Sequence, residues 1–237
     1  MKPFARTMLV STALVMASAL IALNVTGFLP LRTYTVDERL EQYGESVQKR
    51  LQPAFTEAKV SYPPKRLLIL GIKDEKEVEV YVRDGPKNSW KFLKSYDIKA
   101  ASGNLGPKLR EGDKQVPEGF YKAESLNPNS RFHLSIRVNY PSPEDRRIAK
   151  LENRTNLGGD IMIHGKAKSV GCLAMGDEAA EELFVLTALA GVANTVIWIS
   201  PTDFGKASDV NLPTSPEWLM DRYRELAKEL KKLPSRS

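Results

Sequence analysis

The sequence predicts a mainly β domain with one internal helix, flanked by an N-terminal and a C-terminal helix. Three observations carry that prediction. Between Lys65 and residue 205 the apolar residues come in short runs or strict alternation, the strand period. Helical spacing of three and four is confined to three stretches, one inside that region and one on each side of it. The composition, 42% hydrophobic and 27% charged, is that of a globular protein, with fifteen Gly and fifteen Pro spread among its turns.

The chain opens with Lys2 and Arg6 ahead of an uncharged run that lasts to Leu31. Met8 to Leu29 is 22 residues, roughly 33 Å as a helix, which matches a hydrocarbon core of about 30 Å. Two readings stay open for residues 1–31: an uncleaved membrane anchor, or a signal peptide with Ala17-Ser18-Ala19 as its small-residue cleavage site. Both place the remainder outside the cytoplasm, because the positive charges stay inside. The net charge of +6 suits work beside anionic polymers or lipid headgroups. No nucleic-acid motif is present, and no nucleic-acid partner is expected.

Residues 32–60 read as a helical region. Val36, Leu40, Tyr43, Val47, Leu51 and Phe55 form one stripe, and Thr35 with Glu38 has capping-box spacing. Pro53 is expected to kink or end this helix, and Pro63-Pro64 to close the segment as a turn. The β domain, 61–205, follows. Strands are expected at RLLILGI, EVEVYVRD and WKFLKSYDI, then at GFYKAESL and RFHLSIRV, with DIMIHG delivering His164. GDEAAEELFVLTALAGV reads as the internal helix with Asp177 as N-cap, and NTVIWIS returns to strand. In the tail, 206–237, Ser215 is the expected cap and Pro216 the first helical residue. Leu219, Tyr223, Leu226, Leu230 and Leu233 form the stripe of an amphipathic helix.

The chemistry concentrates in HGKAKSVGC, where one of two histidines lies eight positions before the only cysteine. An exported chain with a single Cys has no internal disulfide, so Cys172 is either an inert buried thiol or a reactive one. A free thiol of pKa near 8.5 is only about 3% thiolate at pH 7 and needs a base. His164, at the end of a strand, is suited to that role. Gly171 lets the backbone turn tightly, so that amides around Val170, Gly171 and Cys172 can face an oxyanion. Ser169 can brace the loop. Gly165 leaves room beside the ring, and a neighbouring backbone carbonyl can hold the tautomer. One Cys and two His without ligand spacing do not make a zinc site, and there is no GxSxG.

Weaker candidates surround this pair. His133 shares a strand face with Ser135 by alternation, and Asn129, Asn139 and Tyr140 are polar groups suited to a peptide. Lys166 and Lys168 can pair with substrate carboxylates or depress the thiol pKa; a solvated loop explains them equally well.

These residues also carry a family resemblance. IHG followed by SxGC resembles the L,D-transpeptidase catalytic-domain family, cysteine enzymes that act on peptidoglycan stem peptides. EGDKQVPEGFY, Glu111 to Tyr121, is similar to the family's G-D-x-x-T-P-x-G-x-[YF] strand entry, with Val116 in place of threonine. SRFHLSIRVNYPSPED resembles the segment lining its cleft. The resemblance covers residues 61 to 203 and implies a β-sandwich or barrel-like catalytic domain. Cys172 would be the nucleophile, His164 the proton donor and acceptor, and a thioester the intermediate, with no cofactor. Two departures stand out. His164 and Cys172 are closer in sequence than is usual, and Val170 and Ala174 occupy the places of a second histidine and an Arg or Asn. This compact form is similar to a branch that includes enzymes releasing covalently bound lipoprotein from peptidoglycan. The expected function is therefore transpeptidation in the periplasm or cell envelope, with stem peptides as partners. The alternatives are a hydrolase whose partner is an attached lipoprotein, and an inactive peptidoglycan-binding module; an uncleaved N-terminus would add the inner membrane as a partner.

Overall fold

A computed structural model describes residues 32–206 and 211–235. The proposed anchor or signal segment, residues 1–31, lies outside the described residues. No described helix is long and apolar enough to cross a membrane.

One mixed, curled eight-stranded sheet organises the chain. Its strands are β1 (Arg66–Ile72), β2 (Glu77–Arg83), β3 (Lys91–Asp97), β4 (Gly119–Ser130), β5 (His133–Val138), β6 (Met162–His164), β7 (Leu173–Ala174) and β8 (Thr195–Ser200), in spatial order β3-β2-β1-β8-β4-β5-β6-β7. The helices are α1 (Val36–Ala58), α2 (Pro143–Leu151), α3 (Asp177–Ala190) and α4 (Trp218–Leu230). β1 runs parallel to β8 and β6 parallel to β7; the other neighbours are antiparallel.

The continuous apolar run of β1 has its cause in two-sided burial. Leu67 and Ile69 face the core shared with Val47, Leu51 and Phe55 of α1 and Leu183 and Leu186 of α3. Leu68, Leu70 and Ile72 face Leu219, Tyr223, Leu226 and Leu230 of α4. Both terminal helices therefore close a face of the sheet. A core truncation such as Leu51→Ala would cost about 2–5 kcal/mol.

Ion pairs seal the helix contacts. Glu182 of α3, fully buried, accepts from Arg50 of α1 at 2.7 Å, Lys94 at 2.9 Å and Tyr96 at 2.7 Å. Behind α4, Tyr223 donates to buried Glu118 at 2.5 Å, Glu118 pairs with Lys73 at 2.8 Å, and Arg222 pairs with Asp145 of α2 at 2.9 Å.

Several local expectations need correction. Pro53 neither ends nor divides α1, which runs unbroken to Ala58 with Pro53 on its exposed side. Leu51 and Phe55, buried on either side of it, hold the helix together against the lost backbone bond. The capping box at Thr35 and Glu38 is present, at 3.1 and 2.8 Å. There are two internal α-helices, not one: YPSPED opens α2, capped by Ser142 with Asp145. α3 is capped by Gly176 at φ 80, and Asp177 is its first residue, its carboxylate turned to Lys166. α4 begins at Trp218, because Pro216 forms a preceding turn in which its carbonyl accepts from Leu219 N–H.

Candidate active site

The sheet brings His164 and Cys172 to one face. β6 pairs Ile163 with Leu173 and His164 with Ala174, and β5 pairs Ser135 with His164 and Arg137 with Met162. Ile136, Ile163 and Leu173 point into the core. By alternation Ser135, Arg137, Met162, His164 and Cys172 share the opposite face. The site is built where three strands end.

His164 is buried, and its Nδ1 lies 2.6 Å from the Gly165 carbonyl. A carbonyl only accepts, so Nδ1 carries the proton and the Nε2 lone pair is left for chemistry. Phe132 covers the ring at 4.7 Å between centroids. Burial lowers the imidazole pKa below its ordinary value, partly opposed by the Gly165 hydrogen bond. Gly165 is required by close approach: a Cβ there would lie 2.6 Å from Asp177 Oδ1, 2.8 Å from the Phe132 carbonyl and 2.9 Å from His133 Cβ.

Cys172 is half-buried. Its thiol donates to the Asp160 carbonyl at 3.5 Å. Burial pushes its pKa up; the Met162 amide opposes that, the Asp160 carboxylate reinforces it, and Lys108 opposes it weakly. No hydrogen bond joins Sγ to the imidazole. The two groups rest as neutral thiol and neutral imidazole on the same face.

The nucleophile loop is held by hydroxyls. Gly171 takes φ +86, a left-handed turn that disfavours any side chain. Its N–H donates to Ser102 Oγ at 2.6 Å, and Ser102 donates onward to the Lys114 carbonyl at 2.8 Å. Ser169 Oγ accepts from the Cys172 N–H at 2.9 Å and donates to the Cys172 carbonyl at 2.6 Å. The brace expected of Ser169 is therefore in place. The Gly171 and Cys172 amides, expected as oxyanion donors, each donate to a serine hydroxyl in this structure. Val170 is 72% exposed at the loop tip.

The remaining candidates divide clearly. His133 contacts Glu181 of α3 at 3.0 Å and packs edge-on against Tyr43 of α1. Asn129 binds the Tyr34 backbone through both amide atoms at 2.7 Å. Asn139 accepts from Lys122 N–H at 2.8 Å. Tyr140 is buried with its hydroxyl 3.2 Å from the carbonyls of Lys108 and Leu157. All four side chains make hydrogen bonds within the fold. Lys166 is clamped to Asp177 at 2.7 Å and does not depress the thiol pKa; Lys168 is exposed.

Sequence reasoning missed Ser102, Phe132 and Asp160. Ser102 had no local signal, being 69 positions from the amide it holds. Asp160 had one, because alternation along DIMIHG puts it on the face of His164. Asp113 was passed over as well. Its carboxylate accepts from the amides of Leu109, Arg110 and Gln115 and from Lys108, shaping the loop that leads to Val116.

Known proteins share this arrangement of sequence. The family model of the L,D-transpeptidase catalytic domain (YkuD) matches residues 65–199. The putative L,D-transpeptidase YafK of Escherichia coli K12 is 38% identical over 114 residues, 47% of this chain and 43% of that protein. The match thus spans less than half the length of that relative. Among solved structures, the helical cell shape determining protein Pgp2 of Campylobacter jejuni is 23% identical, with a TM-score of 0.46 over 58% of this chain and 48% of that one. Bd1075 of Bdellovibrio bacteriovorus is 22% identical, with a TM-score of 0.41 over 70% and 56%. The family match runs from β1 through β8 and takes in both His164 and Cys172, so the chain belongs to the L,D-transpeptidase catalytic-domain family.

Proposed function

We propose that the protein is an exported cysteine acyltransferase of peptidoglycan stem peptides, with Cys172 as nucleophile and His164 as base. The observation that carries this reading is the Gly165 carbonyl on Nδ1, which leaves Nε2 as the proton acceptor on the face that holds the single thiol. Because burial pushes the thiol up and the imidazole down, the resting pair is neutral, and proton transfer accompanies attack rather than preceding it. Cys172 Sγ adds to the carbonyl that follows the L-centre of meso-diaminopimelate while its proton passes to Nε2. The tetrahedral intermediate collapses to a thioester as His164 protonates the leaving amine. An amine acceptor then attacks the thioester, giving a cross-link or an attached protein and regenerating the thiol. The oxyanion is stabilised once the serine hydroxyls yield the Gly171 or Cys172 amide.

A second reading has water as the acceptor, so that the enzyme releases bound lipoprotein. A specific observation favours it. Ala174, in the place of the family's Arg or Asn, is fully buried beside Ala100, and Val170 presents only hydrocarbon. Neither can hold a polar amine acceptor, and water needs no such contact.

Sacculi carrying native bound lipoprotein, incubated with residues 33–237, test both readings. Cross-links between two diaminopimelate residues, absent with Cys172→Ala, establish the transferase. Freed lipoprotein without new cross-links establishes the hydrolase. A normal product profile from Cys172→Ala would remove the thiol mechanism.

A further inference from the structure

Beside the thiol the sheet carries a group of charges that neither the fold nor the proton-transfer chemistry uses. Arg137 of β5 donates from Nε to Glu124 of β4 at 2.6 Å and from Nη1 to Asp160 at 2.5 Å. The side chains stay open to solvent: Arg137 is 36% exposed, Glu124 51% and Asp160 79%. Exposed pairs of this kind add little to stability. Their position is more informative than their strength. Arg137 stands opposite Met162 in register, and one further step of the β6–β7 pairing puts Cys172 on the other flank of Met162. The row Arg137–Met162–Cys172 crosses three strands on one face, about 10 Å from first to last at ~4.8 Å per strand. Asp160 spans the row, its carbonyl accepting from the thiol and its carboxylate held by Arg137.

That row has the polarity of a particular side chain. The half-buried Met162 thioether makes an apolar floor next to the nucleophile. Beyond it, a guanidinium with unused N–H donors lies beside a carboxylate with its outer oxygen in solvent. A carboxylate and an ammonium on one carbon would meet Arg137 and Asp160 respectively, with a short methylene chain over Met162 leading back to the reacting carbonyl. We propose that Arg137 and Asp160 form a subsite for an α-amino-acid zwitterion at the end of the substrate's side chain, and so select a diamino diacid over lysine. This rests on the stem-peptide reading and names the residues that would choose within that class. Glu124 orients the guanidinium from its far side, leaving the net charge of the group at −1, which favours the ammonium and disfavours a substrate with two carboxylates and no amine.

The test compares two otherwise identical stem peptides, one with meso-diaminopimelate and one with L-lysine, which keeps the ammonium and lacks the carboxylate. The wild-type kcat/KM should favour the diaminopimelate stem by about 10- to 100-fold, the range for a charge-assisted bidentate contact, with the difference in KM. Arg137→Gln should bring the diaminopimelate value down towards the lysine value, and Arg137→Lys should recover part of it. Asp160→Asn should raise KM for both stems, since both carry the ammonium. Melting temperatures close to wild type establish that the variants fold. Equal wild-type turnover of the two stems, or an undiminished preference in Arg137→Gln, overturns the subsite and leaves the stem-peptide reading standing. Failure of the wild-type protein to turn over or be acylated by either stem overturns that reading, and the subsite with it.

Discussion

Gly165→Ala tests the link between backbone packing and the orientation of the base. Gly165 is not in the left-handed region, so alanine brings no backbone strain, only a methyl group. That methyl would sit 2.6 Å from Asp177 Oδ1, 2.8 Å from the Phe132 carbonyl and 2.9 Å from His133 Cβ. The carboxylate can swing, but the other two contacts are a backbone carbonyl and the first side-chain carbon of a residue fixed by Tyr43 and Glu181. Overpacking of this kind costs about 1–3 kcal/mol, which at about 2–4 °C per kcal/mol lowers the melting temperature by roughly 2–12 °C. The functional loss should be larger. The strain is relieved by moving residue 165, whose carbonyl is the 2.6 Å partner of His164 Nδ1. Displacing a catalytic group by ~1 Å costs about 100-fold. The expected result is therefore a folded enzyme whose single-turnover acylation rate falls about 100-fold, with KM little changed. A variant that melts as wild type and acylates at the wild-type rate would refute the reasoning, because the methyl would then fit without moving the carbonyl that sets the tautomer.

Other consequences follow from the same geometry. Because burial lowers the His164 pKa, kcat/KM should hold its plateau down to pH 6.5 and fall only below it, as base is lost to protonation. Alkylation of Cys172 by iodoacetamide, without substrate, should still be rising at pH 9.0, since its pKa is raised above that value. Ser102→Ala should slow acylation about tenfold by freeing the Gly171 turn, with far-UV circular dichroism unchanged; Ser102→Thr, which keeps the hydroxyl, should retain most of the rate. Glu182→Ala leaves the buried Tyr96 hydroxyl without its acceptor and takes a carboxylate from Lys94 and from Arg50, which keeps Glu181, and should cost about 1–3 kcal/mol in urea denaturation at pH 7. The Glu182 pKa is depressed in the folded state. Its contribution is therefore present above the unfolded carboxylate pKa of about 4.3 and is lost as pH falls through the lower folded value. The difference between wild type and variant should narrow only on that acid side.

Much of the fold was legible because its signals are local. β1, β2, β3 and β8 announce themselves as apolar or alternating runs bounded by turns, and the α1 stripe names the residues that are buried. What misled was equally local. Pro53 carries a breaker signal, yet the burial of Leu51 and Phe55 overrides it. α2 is short and mostly polar, with only Ile148 and Ala149 as buried apolar residues, so it carries little of the periodicity that marks a helix. At the site, the pair His164 and Cys172 was visible as a motif, but its support was not. The hydroxyl on Gly171 comes from Ser102, and the carbonyl that accepts the thiol's hydrogen bond comes from Asp160. Such contacts depend on strand register and loop closure, which no window of sequence contains. Of the polar residues that looked like ligand contacts, Tyr140 serves buried backbone carbonyls, His133 a part-buried carboxylate, and Asn129 and Asn139 backbone groups at the surface.

The resting state has its own logic. A thiolate held ready beside an imidazolium would be a target for every oxidant and disulfide in an oxidising compartment. Here the thiol is neutral and donates to the Asp160 carbonyl, and the neighbouring amides donate to Ser102 and Ser169. On the proposed mechanism the substrate assembles the reactive form: its carbonyl draws Sγ away from Asp160 towards Nε2 and displaces a hydroxyl from an amide. Part of the binding energy is consumed in that rearrangement, so a truncated substrate should lose acylation rate as well as affinity.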